Sequence, residues 1–315
     1  MRNLLGLLKN EQMKLYSRWS TWSMYIILFV LIVGSALILL WADSVDETTY
    51  GDDWEQQLTQ ENEEYRELNQ EGDFFGFDSE IQKNEYRIEN DIPPLSYDAW
   101  QFTLDNASLS TMISLFTIIV AAGIIANEFR WGTIKLLLIR PNSRTKILYT
   151  KFLSVLFFSV TMLLFLVATS FIIGAIIFGI NGWNPSLIQV GADGVEEVAI
   201  FTEIITQYGF NVVNLVMMTT FAFMISTLFR NSTMAIGLAI FLMFTGNIAV
   251  EVVAKYDWAK YILFANTDLS QYFGSGSPIV ESMTLGFSIT VLIIYFVLFL
   301  FISWLSFSKR DVAGN

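Results

Sequence analysis

The chain has 315 residues, of which 54% are hydrophobic and only 15% charged, with 18 Lys and Arg against 30 Asp and Glu. A soluble domain carries roughly 25% charged residues and a nucleic-acid binder concentrates its Lys and Arg, so this composition excludes both a water-soluble globule and a nucleic-acid partner. The absence of Cys and His removes disulfides, thiol nucleophiles, Cys- or His-ligated metal centres and the commonest general base.

In chain order, residues 1–21 place Leu4, Leu8, Leu15 and Trp19 on one helical face, with Lys9, Lys14 and Arg18 interspersed. That pattern suits a helix lying in the inner membrane interface, its lysines near anionic headgroups, and equally an ordinary positively charged flank of the first span. Six apolar segments follow at 22–41, 107–126, 152–178, 208–229, 234–253 and 283–307. Each meets or approaches the roughly 20 residues that cross a hydrocarbon core of about 30 Å. The first reads as a retained anchor, because no small-x-small cleavage site follows Leu39-Leu40-Trp41. The predicted fold class is therefore an all-α polytopic membrane protein with six transmembrane helices.

Alternate assignment of the loops puts 13 of the 18 basic residues on one side, which predicts cytoplasmic N- and C-termini. Residues 43–106 then form a large extracellular loop with 19 acidic and 3 basic residues. Within it Trp54, Leu58, Tyr65 and Leu68 recur at near-helical spacing, predicting a surface helix with a thin apolar stripe. Pro93-Pro94 ends any second helix before the chain re-enters the membrane. Residues 127–151 are the main cytoplasmic loop, 179–207 a second external loop and 308–315 the cytoplasmic tail. In 254–282, Trp258, Tyr261, Phe264, Tyr272 and Phe273 suit interfacial or re-entrant helices, and equally an ordinary aromatic belt. The small-xxx-small pairs Ser170/Gly174 and Ala175/Gly179 signal close backbone approach.

Proton-coupled carriers, voltage sensors and intramembrane hydrolases keep ionisable residues inside their spans. Here all spans but the fifth lack Asp, Glu, Lys and Arg, and Glu251 stands near the outer end of the fifth. No G-x-x-x-x-G-K-[ST] phosphate loop occurs. With no catalytic constellation, cofactor site or metal site in view, an enzyme is not expected and the energy for any transport must come from elsewhere. The uncharged polar residues Asn214, Thr219 and Asn247 could line a pathway, though such groups also bond across helices.

The stretch from Asn127 to Leu148 is the most informative. It leaves the second span through Glu128-Phe129-Arg130-Trp131-Gly132-Thr133, continues in the apolar run Ile134-Lys135-Leu136-Leu137-Leu138 and breaks at Pro141-Asn142. It then starts the third span from a Ser143 N-cap. With Glu128, Gly132-Thr133, the Leu run, Pro141, Ser143-Arg144 and Lys151, the chain resembles permease subunits of bacterial ATP-binding-cassette transporters of the type-two exporter class. The six-span plan and the external loop after the first span agree, although that loop is longer than in compact members.

The resemblance implies a bacterial plasma-membrane permease that pairs with a second permease, as homo- or heterodimer, and binds two separate cytoplasmic ATPase subunits. ATP and Mg would reside in those partners. It further implies that 127–151 is the coupling segment, with Glu128, Arg130, Gly132 and Thr133 facing the ATPase and Pro141, Ser143 and Arg144 setting the helix angle. Charge alone gives a plainer account, in which Arg130, Arg140, Arg144 and Lys146 enforce orientation. A second function class is a membrane sensor whose acidic external loop attracts a cationic ligand. Export of, or immunity to, cationic antimicrobial peptides would unite the two.

Overall fold

The computed structural model describes residues 2–41, 50–51, 53–71, 77–133, 143–191, 194–229, 231–273 and 276–309. Its elements begin with α1 (Arg2–Tyr16), α2 (Trp19–Trp41), α3 (Trp54–Glu71) and α4 (Asp78–Glu89). A short α5 (Ala99–Asp105) passes through a 3-10 turn, Asn106–Leu109, into α6 (Ser110–Arg130), and α7 (Arg144–Ile177) follows. A hairpin of β1 (Ser186–Gly191) and β2 (Gly194–Ala199) leads into α8 (Ile200–Leu228), α9 (Ser232–Val253), the single-turn α10 (Leu263–Asn266) and α11 (Leu285–Lys309). Among the described residues six helical stretches are long and apolar enough to cross a membrane: α2, Ala99–Arg130, α7, α8, α9 and α11.

These helices do not share burial equally. In α6 and α8, 67% and 61% of the most apolar window lies inside the protein, against 17–22% in α2, α9 and α11. The first pair is the interior of the bundle, and the other three display Ile, Leu, Val and Phe outward, as with Ile27, Val30 and Ile38 on α2 and Ile293, Ile294 and Val297 on α11. Such a surface is unfavourable in water and neutral against lipid tails. Helix α7 joins two cores, packing Phe152 and Val155 with Met217, Phe221 and Phe299 of α8 and α11. Further along, its Phe158, Met162 and Leu166 pack with Leu28 and Ile32 of α2 and Phe102 of α5.

Its 34 residues span about 51 Å, some 20 Å more than a hydrocarbon core, so α7 must project beyond it. The helix starts about two turns before the apolar run at 152, and α8 likewise begins about two turns before 208. Propagation adds one hydrogen bond per residue once a helix is nucleated, so polar flanks join an apolar helix at little cost. Ser143 caps the start of α7 by accepting the Lys146 N–H at 3.3 Å.

The bundle has two chemically distinct ends. At the basic end, the termini of α6, α8 and α11 meet the starts of α7 and α9 and the helix α1, with Lys9, Lys14, Arg18, Arg130, Arg144, Lys146 and Lys151. Exposed Trp19, Trp22, Trp131 and Trp304 mark that level, while Trp41, Trp183 and Trp258 mark the opposite one, as aromatic belts do at membrane interfaces. At this opposite, acidic end α3 and α4 pack together over Leu58 and Ile81, with Asn84 donating to Asn62 at 3.0 Å and Tyr65 stacked on Phe77 at 4.8 Å. Helix α4 ends at Glu89, before Pro93-Pro94, and rests on the β-hairpin.

The structure departs from an all-α reading at that hairpin, where Ser186 pairs with Ala199 and Gly191 with Gly194 inside the stretch read as loop 179–207. Another departure concerns Trp19, which starts α2 and is 78% exposed instead of continuing α1, whose buried anchor is Leu15. Segment 254–282 does contain short helical turns, at Asp257–Tyr261, α10 and Ser270–Tyr272. The Ser170/Gly174 pair seats α5 on α7: a Cβ on Gly174 would lie 2.9 Å from Ala99 Cα.

Candidate functional site: a buried charge cluster and a polar cavity

Lys151 stands in the second turn of α7 and is 1% exposed, in a place where an unpaired ammonium would be costly. Its Nζ lies 2.9 Å from Glu11 Oε2 on α1 and 2.9 Å from Glu128 Oε1 on α6. Lys14 adds a second cation, 3.0 Å from Glu11 and 3.6 Å from Glu128. Two lysines and two glutamates therefore close a neutral cluster that binds α1, α6 and α7 together. Glu128 occupies the last turn of α6, where the negative end of the helix dipole disfavours a carboxylate. The two lysines offset that penalty, and the Thr133 hydroxyl donates to the other Glu128 oxygen.

Burial by itself would push the Glu11 carboxyl up, but the charges and hydrogen bonds of Lys151 and Lys14 outweigh it and hold Glu11 below its ordinary value of 4.5. One residue along, Gln12 Nε2 donates to the Ser154 carbonyl at 2.8 Å and to its hydroxyl at 3.1 Å. Helix α1 is thus keyed into α7 by polar contacts.

The connection from α6 to α7 is anchored at both described edges. Arg130 Nη1 reaches Ser232 Oγ at the start of α9, at 3.5 Å. Arg144 Nη1 donates to the Ser308 carbonyl in the last turn of α11 at 3.0 Å, a position where helix carbonyls lack intrahelical partners and the dipole favours a cation. Trp131 stacks beneath Arg18, 5.4 Å from ring centroid to guanidinium. Gly132 turns the chain with φ +70, a left-handed conformation in which a side chain is strained. Pro141 and the apolar run before it lie outside the described residues.

Of the residues read from the sequence as coupling candidates, Glu128 and Thr133 meet in the cluster, Arg130 and Arg144 tie the same segment to α9 and α11, and Ser143 caps α7. Glu11, Gln12, Lys14 and the role of Lys151 were missed. The usable signal was that Glu11 and Glu128 are isolated acids on an otherwise basic face, and an isolated acid at the edge of an apolar helix needs a cation.

Towards the acidic end a cavity of about 840 Å³ opens between α6, α8, α9 and the segment around α10. Asn214 and Asn247 are on its wall. Ser114 donates to Asn214 at 3.4 Å, and Asn211 donates to the Ala107 carbonyl at 3.2 Å. Thr219 is not on that wall; it is fully buried in α8, with its hydroxyl unpaired. The charged groups lining the cavity are Glu251 and Asp268.

Residues 76–313 match a family model described as "Protein of unknown function (DUF2705)". The chain is 42% identical over 317 aligned positions to "Uncharacterized protein YhcI" of Bacillus subtilis (strain 168), covering 99% of this chain and 100% of that one. It is 32% identical over 226 positions to "Uncharacterized membrane protein YdbK" of the same organism, covering 71% and 84%. The family match runs from the start of α4 through α11, across the charge cluster's Glu128 and Lys151 and the whole cavity. With six helices able to cross a membrane, a bacterial relative along 99% of its length and a family match over 76–313, the chain is a multi-pass membrane protein and belongs to the DUF2705 family.

Proposed function

We propose that the chain is the non-catalytic permease subunit of an ATP-binding-cassette exporter in the bacterial plasma membrane. Its basic end faces the cytoplasm, and separate ATPase subunits bound there supply the energy. A second permease, identical or related, completes the passage. The observation that carries this reading is the anchoring of the α6–α7 connection. Through Glu128, Arg130 and Arg144 its edges bear on α1, α7, α9 and α11. A force on the connection therefore reaches most of the bundle at once, as coupling between an external engine and a membrane passage requires. A freely hanging loop that served only to orient the chain would need charges but no such contacts.

The test is co-expression with an ATP-binding-cassette ATPase encoded beside the gene. The complex should survive detergent extraction, and Glu128→Lys should abolish transport-coupled hydrolysis. If no ATPase is ever retained, or if Glu128→Lys leaves hydrolysis and transport unchanged, the proposal fails. The sensor reading draws its support from the folded α3–α4 pair, which is denser in acidic groups than a plain linker needs. Removing 50–98 separates the two, because a sensor loses its signal while a permease keeps basal transport.

A further inference from the structure

The cavity between α6, α8, α9 and α10 combines three chemistries in one space. Glu251 and Asp268 give it two exposed carboxylates at the acidic end of the bundle, and no Lys or Arg is on its wall. The neighbouring cations are turned to other partners: Lys255 lies over Tyr256, and Lys260 lies over Tyr261 and donates to Ser282. Phe210, Phe244 and Phe264 add aromatic faces, which attract cations through the ring quadrupole.

The wall also holds polar side chains with no hydrogen-bond partner among the described residues. Ser110 is 8% exposed, lines the cavity and makes no side-chain hydrogen bond among the described residues. On the same wall the exposed Asn247 and the half-buried Gln207 also make no side-chain hydrogen bond among the described residues. Helix positions at the edge of a bilayer core do not keep unpaired amides and hydroxyls against lipid, because each then forfeits its hydrogen bonds. They face either water or a solute that replaces it. The volume of about 840 Å³ falls within the roughly 300–1,000 Å³ typical of small-molecule sites, which suits one small organic molecule and not a folded peptide.

We propose that this cavity binds a small amphiphilic organic cation, its positive centre held by Glu251 and Asp268 beside the phenylalanine rings and its polar substituents by the Ser110, Gln207 and Asn247 groups. Binding itself is a property of this chain alone. Only the onward fate of the bound cation, as cargo, rests on the permease reading.

Tetraphenylphosphonium and tetraphenylborate, which have nearly the same size and shape and opposite charge, provide the test. Purified full-length protein in nanodiscs of neutral lipid, with no ATPase present, is equilibrated with each labelled ion. The cation should bind saturably at about one per chain and the anion should not. Glu251→Gln should weaken cation binding by about tenfold, the size of effect expected for one partly exposed charge at close range. Glu63→Gln, on α3 and absent from the cavity wall, should leave it unchanged, and both variants should melt with wild-type protein. Equal uptake of both ions, no saturable uptake, or an indifferent Glu251→Gln variant would overturn the proposal. None of these outcomes bears on ATPase retention, so the two readings fail separately.

Discussion

Lys151 concentrates more consequence in one side chain than any other residue described. It has no route to water and depends on two carboxylates from other helices. Removing one partner of a buried ion pair leaves the other charge uncompensated, at a cost of about 3–5 kcal/mol. Lys151→Met should destabilise the detergent-solubilised protein by that order in thermal unfolding, and Lys151→Met with Glu128→Gln should recover part of the loss in a double-mutant cycle. Glu11 makes the same cluster sensitive to pH. Its folded value lies below 4.5, so its stabilisation is fully present above that value and disappears as pH falls through the lower folded one. Melting temperature should therefore drop between about pH 5 and pH 3 more steeply for wild-type protein than for Glu11→Gln. Both glutamates could be read from the sequence as isolated acids. Their convergence on one lysine could not, because 117 positions separate Glu11 from Glu128 in the chain and only helix packing brings them together.

Among the elements, legibility followed the strength of the periodic signal. Helix α3 was announced by Trp54, Leu58, Tyr65 and Leu68, whereas for its partner α4 only the Pro93-Pro94 limit beyond it was legible. The β-hairpin was not, because β1 and β2 offer mostly half-buried positions without a clean alternation, and only their register shows Gly191 facing Gly194. Small residues in α7 were legible as a packing signal but not as to what packs there. The answer is α5: Ala99 N–H donates to the Gly179 carbonyl at 3.0 Å, and Gly174 leaves no room for a side chain. Gly174→Val should force α5 from α7 and cost about 1–3 kcal/mol by overpacking, measured as a lowered melting temperature, whereas Gly34→Ala, in open space, should not.

For the whole molecule, orientation is the proposition most open to direct test. The chain has no Cys, so a single introduced thiol reports its side of the membrane. Ser143→Cys at the basic end should resist a membrane-impermeant maleimide in intact cells and react after lysis, while Ser44→Cys should react in both. Labelling of Ser143→Cys from outside would invert the topology and remove the proposed ATPase contact. What the amino-acid order settled unaided was the number of spans and the asymmetry of charge between their ends, because the thickness of a bilayer and the cost of polar groups in it act on each segment separately. Which helices lie inside, which lysine answers which glutamate and where a polar cavity opens were decided by tertiary packing alone. Those properties belong to surfaces brought together from distant segments, and no local pattern encodes which surface a helix will meet.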